Sequence, residues 1–70
     1  MNVHKLRGKM VEKQVTVVAA AEYIGIDKST FYRKMDSQTF TIKEANLITK
    51  LLELTSEEAM LIFFNKTVAW

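Results

Sequence analysis

Three observations in this 70-residue chain predict an all-α domain of five short helices. Apolar residues recur three and four positions apart along nearly the whole length, the spacing that gathers side chains on one face of a helix. Residues suited to capping helix N-termini, Thr16, Asp27, Thr41 and Thr55, stand between those apolar stripes. The chain also lacks proline, the residue that most often breaks a helical pattern. With no linker, low-complexity tract or internal repeat, residues 1–70 read as a single domain.

Each element has its own signal. Val3, Leu6 and Met10 form a stripe that predicts a first helix over roughly 3–13, with Gly8 as a weak point costing about 1 kcal/mol relative to alanine. Thr16 caps a second helix, Val17 to Ile24, in which Ala19, Ala20 and Ala21 offset the poorer helix formers Val17 and Val18. The small side chain of Ala21 lets a neighbouring helix come close. Gly25 supplies the left-handed residue that ends this helix, and Ile26 turns back to the core. Asp27 is expected to cap a third helix over about 28–35, its carboxylate accepting backbone N–H bonds, with Phe31 and Met35 as inward anchors. Asp36-Ser37-Gln38 is a polar break. Thr41 and Glu44 make a capping box for a fourth helix with Ala45, Leu47, Ile48, Leu51, Leu52 and Leu54 as apolar positions. Thr55 and Glu58 repeat the box for a fifth, with Ala59, Leu61, Ile62 and Phe63 expected inside. Two readings stay open for Asn65–Trp70: a frayed end, or a short C-terminal extension pairing with a second copy. Phe63, Phe64, Val68 and Trp70 are correspondingly either core or a dimer patch.

Composition narrows the function. A hydrophobic fraction of 49% fits a globular domain, and no apolar run approaches the roughly 18 residues of a membrane span. The charged start MNVHKLRGKM is unlike a signal peptide, so a cytoplasmic location is expected. There is no cysteine, and the lone His4 cannot build a metal site. No nucleophile–base pair or Gly-rich phosphate loop is apparent, and the adjacent Glu57 and Glu58 diverge on a helix, so an enzyme is not expected, nor a cofactor or a small-molecule substrate. Charge is uneven. Residues 1–34 hold seven Lys or Arg against three acids, a net +4, while the rest of the chain nets −2. Either a polyanion docks on one face, or the imbalance is incidental.

The segment TVVAAAEYIGIDKSTFYRKM, residues 16–35, is the most informative. With Phe31 and Met35 inward at about 100° per residue, Ser29 and Arg33 face outward and Tyr32 and Thr30 flank them. Lys28 lies nearer the scaffold edge on a flexible stem. A helix with apolar anchors and an outer face of cationic and hydrogen-bonding groups is equipped to enter the major groove of DNA. Arg33 matches guanine O6 and N7, Ser29 a base edge or phosphate, and Tyr32 a thymine methyl or phosphate. Tyr32 packing against the first helix instead is equally open.

The placement of Ala21, Gly25, Ile26, Asp27 and Phe31 resembles the motif of the Cro and repressor class of phage helix-turn-helix regulators. The opening KLRGKMVEK and the ending EEAMLIFF are similar as well, so the likeness covers about residues 3–64. The resemblance implies a lambda-repressor-like helix-turn-helix domain that occupies a double-stranded DNA operator as a homodimer. It implies base reading by Lys28, Ser29, Tyr32 and Arg33, with Thr30 beside them. Many members carry a phosphate-binding glutamine where Val17 stands, which leaves the backbone N–H groups of the Thr16-capped helix for that phosphate. Lys34 replaces a commonly apolar residue and is expected to snorkel towards the DNA backbone. Asp36-Ser37 replaces a frequent Asn-Gly. Two further roles share the fold: a protein-interaction module such as an antirepressor, and an accessory factor for phage recombination.

Overall fold

The structure is a computed structural model and describes residues 1–64. Among these residues it contains five helices and no strand: α1 Val3–Glu12, α2 Val17–Ile24, α3 Lys28–Ser37, α4 Ile42–Leu51 and α5 Ser56–Phe63. The expected all-α, five-helix order is therefore what the described residues adopt.

One device closes the first four helices. After α1, α2, α3 and α4 the backbone enters the left-handed region at Gln14, Gly25, Gln38 and Glu53, with φ of 58°, 84°, 58° and 54°. The next residue in each case reaches five positions back: Val15 to Met10, Ile26 to Ala21, Thr39 to Lys34 and Leu54 to Thr49, at 2.8, 3.0, 2.9 and 3.0 Å. This satisfies a carbonyl that the helix end leaves unpaired. Val15, Ile26 and Leu54 then pack against the core, so the turn and the apolar contact support each other.

The N-termini are secured as well. Thr16 Oγ1 accepts from the Ala19 amide at 3.1 Å, and Asn2 Oδ1 caps α1 through the Lys5 amide at 3.0 Å. Both capping boxes form reciprocally, Thr41 with Glu44 and Thr55 with Glu58.

The core is wholly apolar: Leu6, Met10, Ala20, Ala21, Phe31, Met35, Ile48, Leu52 and Ile62. Ala20 and Ala21 let α2 lie against both α3 and α4, while α5 joins α1 and α4. Phe31 meets Phe40 edge-on with ring centroids 5.1 Å apart, and Phe40 meets Phe63 at 6.5 Å, a geometry favoured by the ring quadrupoles. Phe63 is thus partly buried and packed against the core. The Asn2 amide bonds the Ile62 carbonyl at 2.7 Å, tying the start of the chain to α5.

Four expectations need correction. Asp27 stands at the N-cap of α3 with extended backbone, yet its carboxylate makes no capping bond to the backbone and is met instead by the Ser29 and Thr30 hydroxyls. α3 runs on to Ser37, whose Oγ donates to the Arg33 carbonyl at 2.7 Å, so the polar break begins at Gln38 rather than Asp36. Leu47 is only half-buried and stands outside the core, and Leu61 is 46% exposed, since α4 and α5 turn the neighbouring Ile48 and Ile62, also expected inside, directly inward. Val68 and Trp70 lie outside the described residues, as does the whole of Asn65–Trp70.

Candidate nucleic-acid interface

The candidate surface is built by α2, the turn Gly25–Asp27, and α3. Its foundation is the burial of Phe31 and Met35, at 0% and 1% exposure. Fixing these two side chains sets the rotation of α3 about its axis. Lys28, Ser29, Tyr32 and Arg33 consequently stand exposed, while Thr30 and Lys34 are half-buried. Ser29, Tyr32 and Arg33 face outward as helical spacing predicts, whereas Lys28, which the spacing puts nearer the scaffold edge, is exposed too and the flanking Thr30 is half-buried.

The exposed members differ in freedom. Among the described residues Lys28 and Arg33 have no carboxylate partner within ion-pair distance, so both cations are available. Tyr32 is 39% exposed, so it is neither buried nor fully free of the protein. Ser29 is exposed but committed: its Oγ donates to Asp27 Oδ2 at 3.1 Å, and Thr30 Oγ1 donates to the other carboxylate oxygen. Those hydroxyl bonds, Thr30 first and Ser29 second, hold the Asp27 carboxyl below the usual carboxylate range.

Lys34 is placed differently from the rest. Its Nζ lies 2.9 and 2.7 Å from the two carboxylate oxygens of Glu44, across the turn between α3 and α4. Burial would raise the Glu44 pKa, but the Lys34 ammonium and the Thr41 amide outweigh it and leave it lowered. Glu44 thus serves α4 twice, as the second half of the capping box and as the anchor for α3. The expected reach of Lys34 towards a DNA backbone gives way to this bond.

Thr16 and Val17 form the neighbouring edge. Thr16 is exposed and occupied with its cap, and Val17 packs partly against the core. The first N–H groups of α2 have no acceptor within the helix, the ordinary condition of a helix start and one that suits an anionic oxygen. Arg7, Met10, Val11, Val15, Val17 and Met35 line a shallow cleft of about 150 Å³ beside it. Arg7 therefore shares a wall with the start of α2, a neighbour that spacing along the chain gives no means of finding. Likewise the Lys34–Glu44 pair spans ten positions and a turn, beyond the reach of any helical period.

Two general properties complete the surface. Among the described residues no three His, Cys, Asp or Glu side chains converge as metal ligands, and no helix is long and apolar enough to cross a membrane. No family model, curated protein or solved structure matches this chain.

Proposed function

We propose that this protein is a sequence-specific DNA-binding transcriptional regulator of the Cro or repressor kind, acting by occupying an operator. The observation that carries the proposal is the anchoring of α3 by Phe31 and Met35 with Lys28, Ser29, Tyr32 and Arg33 left on its outer face. α3 would lie in the major groove as a recognition helix, with the α2 start beside a phosphate. Regulation would be steric, needing neither cofactor nor catalysis. One such domain contacts few bases, so two copies on half-sites about 10 bp apart would supply affinity and symmetry.

A second reading, a protein-interaction module such as an antirepressor, has its own support. Between residues 17 and 37 the cations Lys28, Arg33 and Lys34 are matched by Glu22, Asp27 and Asp36, and Lys34 is further engaged by Glu44. The basic surplus lies mainly in and just after α1, at Lys5, Arg7, Lys9 and Lys13.

Titration of duplex binding against salt separates the two. A DNA reader loses affinity steeply as salt rises, by about 0.9 log units per log unit of salt for each phosphate neutralised. Absence of duplex binding at low salt would exclude the DNA reading and favour a protein partner.

A further inference from the structure

The hydroxyl groups at the start of α3 have a fixed polarity. Ser29 Oγ and Thr30 Oγ1 both bond the Asp27 carboxylate, one to each oxygen. An ionised carboxylate has no hydrogen to give, so in both bonds the hydroxyl is the donor. Each hydroxyl owns a single hydrogen and two acceptor lone pairs. With the hydrogen committed to Asp27, the exposed Ser29 Oγ offers lone pairs alone to anything that approaches α3 from outside.

The major groove presents both polarities. Adenine N6 and cytosine N4 carry hydrogens, whereas guanine O6 and N7, thymine O4 and the phosphate oxygens only accept. Facing an acceptor, Ser29 would have to surrender its bond to Asp27 or leave two sets of lone pairs opposed. Facing an amino group, it makes a bond with the Asp27 contact intact. The carboxylate beside it adds to the bias, since negative charge disfavours acceptor-rich edges.

We propose that Asp27 is a positioning residue for specificity: by holding the Ser29 hydroxyl as an acceptor, it restricts the base that Ser29 meets to adenine or cytosine. This rests on α3 reading DNA and adds the polarity of one contact.

The experiment is enrichment of bound sites from a randomised duplex library by the full chain, by Ser29→Ala and by Asp27→Ala. In the wild type one position should favour adenine or cytosine over guanine and thymine by about threefold to tenfold, the worth of one net hydrogen bond. Ser29→Ala should lose that preference and no other. Asp27→Ala, whose Ser29 hydroxyl is free to turn and donate, should admit guanine and thymine at the same position. A control needs no variant: the wild-type chain on a duplex whose base at that position lacks the exocyclic amino group should lose a similar factor. A Ser29-dependent preference for guanine or thymine, an unchanged profile for either variant, or indifference to the missing amino group would each overturn the inference while leaving α3 as a DNA reader. Failure of the wild type to enrich any sequence would instead remove the DNA reading itself, and this inference with it.

Discussion

Arg33 and Lys34 are adjacent cations on one helix, and their surroundings assign them opposite work. Arg33 is exposed and, among the described residues, has no carboxylate within ion-pair distance, whereas Lys34 is bound by both oxygens of Glu44. On the DNA reading, Arg33→Ala should weaken operator binding by about 1–3 kcal/mol and relax choice at one base pair, because a guanidinium donates bidentately to guanine. Competition between operator and mutated duplexes measures this, and an unchanged preference would remove Arg33 from the site. Lys34→Met should leave the salt dependence of binding unaltered and act on stability instead. The pair is partly exposed and screened, so the loss should be about 0.5–1 kcal/mol in denaturant unfolding. The sequence shows that both residues are cations, and periodicity turns Arg33 outward. It cannot show that Glu44 folds back beside Lys34, because that depends on how the α3–α4 turn closes. The same limit hid the occupant of Asp27: its type and position announce a helix start, but Ser29 and Thr30 compete for the carboxylate only once the backbone has turned.

Helix starts were the most legible elements in this chain and helix ends the least. Thr16 and the two Thr–Glu boxes cap where their residue types predict, since a cap depends on side chains three positions apart. Of the four left-handed turns only the one at Gly25 carried a glycine; Gln14, Gln38 and Glu53 reach the same conformation without one. There the following residue's bond five positions back, and in two of the three cases its burial, hold a conformation that the residue itself disfavours. Glycine content alone therefore undercounts the turns. The two glycines should respond oppositely to substitution. Gly8 lies inside α1, exposed, with nothing within 4 Å of where a Cβ would stand, so Gly8→Ala should stabilise the fold by about 0.5–1 kcal/mol. Gly25 has a φ of 84°, so Gly25→Ala should cost about 1–2 kcal/mol despite equally open space. Thermal unfolding of the two variants measures both, and a common sign would contradict the backbone account.

At the scale of the whole molecule, the surface proposed for DNA depends on helices outside α2 and α3. α1 and α5 are joined through the Asn2–Ile62 backbone bond and through Lys9, whose ammonium pairs with Glu58 as well as with Glu12. Neither the Asn2–Ile62 nor the Lys9–Glu58 bond follows from periodicity, since the partners lie 60 and 49 positions apart and meet only when the core of Leu6, Met10 and Ile62 closes. The clasp has a pH signature. The Lys9 ammonium, then the Thr55 amide, draw the Glu58 pKa down to about 2 from an ordinary 4.5. A carboxylate whose pKa is lower in the folded state binds fewer protons there than in the unfolded chain. Its contribution is therefore fully present above about pH 4.5 and disappears as pH falls through about 2. Glu44 and Asp27 are lowered too and act in the same direction. The wild type should accordingly melt at a higher temperature than Glu58→Gln at pH 7, with the gap narrowing from about pH 4.5 downward and closing below about pH 2. Circular dichroism melts across that range give the comparison. A gap that persists unchanged at pH 2 would mean that Glu58 acts through packing or its uncharged bonds to Thr55, and that the charge on Lys9 does not hold α1 to α5.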